Sequence, residues 1–477
     1  MCLKQNQSFM YIKQLYTGCL AEAAYYIESN GEAAIVDPLR DVEPYLALAE
    51  ERGARMKYVL ETHFHADFVS GHLDLAQKTG AKIVFGPTAQ PSFEAYIAED
   101  DEVLPLGQIK IKVLHTPGHT MESSTFMVID AEGKNQAIFT GDTLFIGDVG
   151  RPDLAVKTDL SREDLAGHLY DSLRNKIMPL GDELIVYPGH GQGSACGKNM
   201  SSETQDTLGN QKAYNYALNP DLSKEEFVRQ ITDGLVAPPQ YFPKNAVMNK
   251  TGYEELDTIL ARGQKGLSPE EFAVYAQEEN TLVIDTRHQS DYLQGHIPNA
   301  LYVGLHDNFA PWVGALVKDL KTPILFVADP GREEEVVTRL SRVGYDNALG
   351  YLEGGMKAWQ AAGKSLQTAD ELSAEEYAAQ AENFWEQTVD VRKKSEYDRR
   401  HLEGVRNLPL DFLPDLLDEL PADEKYYLHC AGGYRSVIAV SILERAGIVA
   451  ASIGGGFNAL SKMNLALSEP REVHTML

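Results

Sequence analysis

Apolar positions in the first half of the chain come in short runs that stop abruptly on a polar residue or glycine. The stretches KYVLETHFHAD (57–67), AKIVFG (81–86), IKIKVLHTPGH (109–119), NQAIFTGD (135–142) and ELIVYPGH (183–190) all follow this pattern. Runs rich in Val, Ile, Leu and Phe that end on turn formers predict buried strands. A helix-like stretch separates the first two. Strand, charged loop and helix in alternation predict an α/β scaffold, which collects side chains from distant sequence at one edge of a sheet.

The second half repeats itself with a period of roughly 105 residues. One copy runs LSPEEFAVYAQ, TLVIDTR, GHIPNALYV, TPILFVADPGREEEVVTRLSRVGY and YLEGGMKAW. The other runs LSAEEYAAQ, QTVDVR, RHLEGVRNLPL, KYYLHCAGGYRSVIAVSILERAGI and IGGGFNALSK. Helix, short strand ending in Asp-x-Arg, loop, strand, loop, amphipathic helix and a Gly-Gly turn recur in the same order, which points to duplicated α/β domains. The proline-rich segment APPQYFPKNA reads as a structured linker. We therefore expect three domains, 1–245, 246–366 and 367–477, with 246–265 as a connecting helix.

Composition narrows the partners. Lys and Arg number 43 against 70 Asp and Glu, a net charge of −27, so nucleic acid and anionic lipid would be repelled. Cys2, Cys19, Cys196 and Cys430 are too few and too scattered for a disulfide framework. The N-terminal stretch lacks the apolar core of a secretory signal. No run of about 18 apolar residues occurs. A cytoplasmic location without membrane contact is expected.

The strand ends carry the chemistry. His63-Phe64-His65-Ala66-Asp67 is followed at later strand ends by His119, Asp142 and His190. Imidazole with carboxylate suits zinc, iron or manganese. Residues two apart in extended chain face one side, so His63 and His65 can enter one site. This region resembles the metallo-β-lactamase superfamily, whose H-x-H-x-D-H signature is followed by His, Asp and His. The resemblance implies an αβ/βα sandwich with metal at the edge between two sheets. Phe68 stands where the family has its last signature histidine, a ligand of the second metal in two-zinc hydrolases. The resemblance therefore implies one metal, held by His63, His119 and Asp142 as a 2-His-1-carboxylate face. His65, Asp67 and His190 would orient ligands and water, or survive from a second metal site.

That branch looks like the persulfide dioxygenases. It implies one Fe(II) per chain, with zinc an alternative occupant after purification, and a low-molecular-weight thiol persulfide and O2 as substrates. Arg151, in Gly150-Arg151-Pro152-Asp153, is by resemblance a substrate contact; the other reading is a plain ion pair. Cys196 either holds a persulfide near the metal or is a small residue of a glycine-rich loop. The alternative for this domain is a glyoxalase II-like thioester hydrolase.

In the second repeat, Cys430-Ala431-Gly432-Gly433-Tyr434-Arg435-Ser436 lies between a strand and a helix. Loop N–H groups and a helix N-terminus favour a thiolate there, and Arg435 offers a fork for an oxyanion. The loop resembles that of the rhodanese family, which implies a cysteine persulfide at Cys430, with the neighbouring loop residues binding substrate. The first repeat has Asp329 at this place, in DPGREEE, and reads as inactive, a spacer or dimer surface. The whole chain resembles persulfide dioxygenase–rhodanese fusions, which implies sulfite and thiosulfate as further reactants; the cysteine-less repeat suggests a homo-oligomer. A non-catalytic sulfide or redox sensor is the contrasting hypothesis.

Overall fold

The computed structural model describes residues 10–154 and 160–470. Cys2 and the start of the stretch read for a leader lie outside them. The chain divides into two compact units, one through Leu256 and the other from Asp257 on, apart from Ser341–Gly344.

The first unit contains two six-stranded sheets. One is ordered β1 (Tyr11–Thr17), β2 (Glu22–Ser29), β3 (Glu32–Val36), β4 (Arg55–Leu60), β5 (Lys82–Phe85) and β6 (Tyr96–Ile97). The other runs β12 (Asp206–Thr207), β11 (Ile185–Pro188), β10 (Asn135–Gly141), β9 (Ser124–Ile129), β8 (Ile109–His115) and β7 (Val103–Leu106). Strand periodicity explains how both faces of each sheet are used. Along β2, Ala23, Tyr25 and Ile27 join Phe126, Val128 and Phe139 of the other sheet in a central core. Their neighbours Ala24 and Tyr26 point the other way, into an outer core, as a two-residue repeat requires.

The outer faces are covered by helices. Tyr45, Leu48 and Ala49 of α1 (Glu43–Arg52) and Leu75 of α2 (His72–Thr79) close the first sheet. Ala166 and Leu169 of α3 (Arg162–Ser172), with Phe227 and Ile231, close the second. The layering is helix, sheet, sheet, helix, the sandwich expected. Residues 246–265 do not form one helix. They divide between α4 (Phe242–Thr251) and a helix at Leu256–Gly263, interrupted at Gly252, whose φ of 98° ends the first.

The second unit holds two parallel five-stranded sheets. The first is ordered β13 (Gly266–Leu267), β17 (Ala348–Leu352), β16 (Ile324–Val327), β14 (Leu282–Asp285) and β15 (Leu301–Tyr302). The second is ordered β18 (Asp370–Leu372), β22 (Val449–Ile453), β21 (Lys425–His429), β19 (Thr388–Asp390) and β20 (Arg406–Asn407). The two orders are the same once the strands are numbered within each repeat, so the duplication seen in the sequence is a duplication of topology. Each Asp-x-Arg landmark has the same structural duty. Arg287 grips Asp285 and the Gly295 carbonyl, and Arg392 grips Asp390 and the Arg400 carbonyl.

The helix after Cys430, α5 (Tyr434–Arg445), departs from its amphipathic reading. Tyr434 and every residue from Ser436 to Leu443 are buried, so the face expected to meet water is covered. A helix buried nearly all round belongs to a core.

Phe139 is fully buried in the sandwich core, between Tyr25 and Tyr187. Phe139→Ala should cost about 3–5 kcal/mol. Calorimetry of the whole chain should show the transition of the first unit lowered while that of the second stays in place. A uniform shift of all transitions would contradict two separately cooperative units.

Candidate metal centre and sulfur-transfer loop

The centre lies where the strands of both sheets end. His63 follows β4, His119 follows the turn after β8, Asp142 follows β10 and His190 follows β11. All four are buried. The donor atoms of His63, His119 and Asp142 lie within 4.8 Å of one another. Asp142 Oδ2 stands 3.5 Å from His119 Nε2 and 4.0 Å from His63 Nε2.

Hydrogen bonds behind the imidazoles fix which nitrogen faces inward. His119 Nδ1 donates to the Arg151 carbonyl at 2.8 Å. His63 Nδ1 meets Thr62 Oγ1 at 2.9 Å, and that hydroxyl itself donates to Asp37 at 2.8 Å. Thr62 therefore accepts from His63. Each ring keeps its hydrogen on Nδ1 and presents an Nε2 lone pair to the centre. Burial, then His65, pushes His63 well below the ordinary histidine range, which keeps it neutral. Asp142 Oδ2 is buried without a hydrogen-bond partner. Two lone pairs and an unpartnered carboxylate oxygen converging in a buried space call for a cation, and the donor set fits iron or zinc.

His190 takes a different part. Its Nδ1 lies 2.8 Å from Asp142 Oδ1 and its Nε2 2.7 Å from Asp67 Oδ2. Contact with a carboxylate on each side favours a hydrogen on both nitrogens and a positive charge on the ring. Burial opposes this charge, but Asp142 and then Asp67 hold the His190 pKa well above the ordinary range. Burial likewise works against the Asp142 charge, and His190, then His119, keeps its carboxyl well below the usual range. The close approach needs Gly189, because a Cβ there would lie 2.8 Å from Asp142 Oδ1.

The two histidines of H-x-H part company. Their rings are 4.2 Å apart, yet His65 Nε2 turns to Asp37 Oδ1 at 3.1 Å and Glu61 Oε2 at 3.6 Å. Residues 61–67 leave the strand as a loop, so the two-residue alternation no longer holds. Although burial pulls the other way, Asp37, then Glu61 and Asp67, pushes His65 up to about 9. Phe68 stacks on His65 at 4.3 Å and is fully buried.

Cys196 comes close. Its sulfur and donor atoms of Asp67 and His190 lie within 4.8 Å of one another. Burial, then Asp67 and Asp142, pushes the Cys196 thiol up. Arg151 is 5% exposed. Its guanidinium donates to both Asp153 oxygens at 2.6 and 2.7 Å and to the Val236 carbonyl. Gly150, beside it, is required: a Cβ would lie 2.1 Å from the Asp142 carbonyl.

Three contributors were not singled out from the sequence. Asp37 and Thr62 also sit just past strand ends, at EAAIVD and KYVLET, and the same strand-end pattern would have found them. Asn249, on α4, carried no such signal. Its Nδ2 donates to the carbonyls of His65 and Phe68 at 2.7 Å each, and its Oδ1 accepts from Ser70 N at 2.9 Å. One side chain thus holds the loop that carries His65 and Asp67.

In the second unit, Cys430 follows β21 and precedes α5. Gly433 N–H points at its sulfur at 3.1 Å, and Ser436 Oγ lies at 3.7 Å. The Gly-Gly landmark lies beneath: Phe457 N–H and Asn458 N–H bond the carbonyls of Cys430 and Ala431, and a Cβ on Gly456 would lie 2.4 Å from the Cys430 carbonyl. Arg435 forms a two-point pair with Glu396 at 2.6 and 2.8 Å. Tyr434 turns its hydroxyl to the Gly304 carbonyl at 2.9 Å. At the matching place in the first repeat, Asp329 caps a turn to Arg332.

Comparison with known proteins follows this division. The metallo-beta-lactamase superfamily model matches residues 17–190. The rhodanese-like domain model matches residues 268–362 and 373–463. A cytoplasmic hydroxyacylglutathione hydrolase of Arabidopsis thaliana is 36% identical over 184 residues, covering 38% of this chain and 67% of the relative. A mitochondrial persulfide dioxygenase of Homo sapiens is 29% identical over 211 residues, covering 44% and 74%. The crystal structure of a metallo-beta-lactamase from Staphylococcus aureus superposes with a TM-score of 0.65 at 31% identity, covering 72% of this chain and 99% of that one. Among the described residues, no helix is long and apolar enough to cross a membrane.

Asn249→Ala would leave two carbonyls and one N–H unpaired, at about 1–3 kcal/mol each. We expect a lower melting temperature and about tenfold weaker metal retention in chelator competition. Unchanged melting and retention would show that the loop holds its shape without Asn249.

Proposed function

We propose that this chain, which belongs to the metallo-β-lactamase superfamily and carries two rhodanese-like domains, oxidises a thiol persulfide at a one-metal centre and transfers sulfane sulfur at Cys430. The observation that carries this reading is the engagement of both His190 nitrogens by Asp142 and Asp67. A two-metal hydrolase of the superfamily needs a second metal beside that aspartate and histidine. Here both His190 nitrogens face carboxylates. Phe68, at the position of the missing ligand, is packed on His65. The imidazolium supplies the positive charge that a second metal would bring, and leaves one metal held by His63, His119 and Asp142.

Iron in that face would supply electrons and open positions for O2. The chain's own groups do the rest. Thr62 and the Arg151 carbonyl hold the two imidazoles in the orientation that presents Nε2. His190 keeps Asp142 ionised and fixed, holding its protons at Nδ1 and Nε2. The net reaction is RSSH + O2 + H2O → RSH + SO3²⁻ + 2H⁺.

At the second site, sulfite attacks the outer sulfur of a Cys430 persulfide. The new S–S bond gives thiosulfate, the old S–S bond breaks, and its electron pair returns to the Cys430 sulfur, where the Gly433 N–H is positioned to receive it. The two sites are joined by chemistry: the first makes the acceptor that the second uses. The rhodanese-like domains and the persulfide dioxygenase relative support this assignment. The hydroxyacylglutathione hydrolases among the relatives favour thioester hydrolysis instead.

Iron-loaded protein given glutathione persulfide should take up O2 and form sulfite, with about one metal bound per chain by elemental analysis. Two zinc ions per chain with cleavage of a glutathione thioester and no O2 uptake would overturn the proposal. Cys430→Ser should abolish thiosulfate formation from persulfide and sulfite while O2 uptake continues. His63→Ala should do the reverse, with O2 uptake reduced at least 100-fold.

A further inference from the structure

The cysteine-less repeat is packed along the helix that carries the active loop of the other repeat. Glu444, near the C-terminal end of α5, lies 3.4 Å from His296 Nε2, and Arg445 donates to the Asn299 carbonyl. Midway along the helix, Ser441 Oγ accepts from Tyr302 N–H at 3.0 Å. At the N-terminal end, Tyr434 donates to the Gly304 carbonyl at 2.9 Å, and its ring meets those of His306 at 5.1 Å and Tyr302 at 6.0 Å, both edge to face. These contacts account for the burial of α5 on the side expected to be wet. They all come from residues 296–306, which span the His-Ile-Pro-Asn-Ala landmark and β15 of the first repeat.

Tyr434 is itself part of the loop. It lies between Gly433, whose N–H meets the Cys430 sulfur, and Arg435. It is 8% exposed, and its hydroxyl is given to the Gly304 carbonyl. Gly433 has a φ of 111°, a conformation that glycine takes freely and that no side chain restrains. The loop therefore needs an anchor directly after this soft hinge. On the catalytic repeat's own side, the Gly456 turn holds Cys430 and Ala431, and Ser436 Oγ donates to the Gly433 carbonyl at 2.9 Å; Tyr434 is held from the first repeat.

We propose that the cysteine-less repeat is a positioning element of the sulfur-transfer site, and that the Tyr434–Gly304 hydrogen bond is the contact through which it sets the Gly433 N–H against the Cys430 sulfur. This rests on Cys430 being the sulfur-carrying residue. Tyr434 is then a positioning residue, and the Tyr302–Gly304 segment acts at one remove. The segment is tightly specified: a Cβ on Gly304 would lie 2.4 Å from the Tyr302 hydroxyl and 2.7 Å from His306 Cε1.

The test uses the full chain. Tyr434→Phe removes the hydrogen bond and keeps the ring. The pH profile of Cys430 alkylation by iodoacetamide, resolved by peptide mass spectrometry, should move to higher pH. The kcat for sulfur transfer from thiosulfate to cyanide should fall about tenfold. Gly304→Ala, which displaces the acceptor, should move both readouts in the same direction. Arg445→Ala loosens the far end of the same interface; it should lower the melting temperature and leave the alkylation profile in place. A Tyr434→Phe profile superimposable on the parent would overturn the inference, as would an equal shift in Arg445→Ala. Sulfur transfer absent from the parent protein, with the alkylation profile still shifted by Tyr434→Phe, would instead overturn the sulfurtransferase reading and leave the positioning contact standing.

Discussion

The metal centre depends on one buried ion cluster, in which the His190 imidazolium is bonded to Asp142 on one side and Asp67 on the other. Charges in a desolvated interior are costly unless they are paired and hydrogen-bonded. Here the pairing comes from three strand ends in two sheets, and removing any member would leave an uncompensated charge. The cluster thereby couples the edge of one sheet to the edge of the other. In the proposed one-metal reading, the part of His190 is to hold Asp142 rather than to ligate. Glycines at 150 and 189 are the steric counterpart: each lets backbone approach Asp142 more closely than any side chain would permit.

Much of this was legible in the residue pattern, because strand ends are where a sandwich fold collects polar groups, and apolar runs ending in His, Asp or Gly mark those ends. The duplication was legible for a similar reason. The Asp-x-Arg pairs and the Gly-Gly turns serve the backbone, so they recur whether or not a repeat carries a cysteine. Two kinds of feature were not legible. The H-x-H spacing alone allows both histidines one site, and only the resemblance set His65 apart as an orienting group; the chain leaves strand geometry at Glu61 and the pair diverges to different carboxylates. Asn249 reaches the metal loop from α4 with no local pattern to announce it, since a contact between residues this far apart in sequence has no periodicity. The wet face assigned to the helix after Cys430 failed for the same reason: a neighbouring repeat covers it, and a single helix's own pattern does not report its neighbours.

The two sites show different ways of stabilising a reactive group. The metal centre is rigid by accumulation, with each ligand backed by a hydroxyl, a carbonyl or a charged ring. The Cys430 loop is held largely through its backbone, with Ser436 Oγ donating to the Gly433 carbonyl. Glycines at 432 and 433 leave its middle free of side chains, while the Gly456 turn fixes one end and Tyr434 the other. Arg435, paired with Glu396, is pre-oriented by that carboxylate.

The packing of the first repeat on α5 alters how tolerant that repeat is to change over time. A domain that has lost its nucleophile would ordinarily be free to drift. The loop at 329–335, with its aspartate and run of glutamates, carries no cysteine to preserve. The strip from His296 to His306 stands differently, because it is a wall of the neighbouring domain's core and its substitutions are felt there. Sequence divergence in this repeat should therefore be uneven, fast around the abandoned loop and slow along one strand edge. One end of its sheet is then free to change, while another is held by what packs against it.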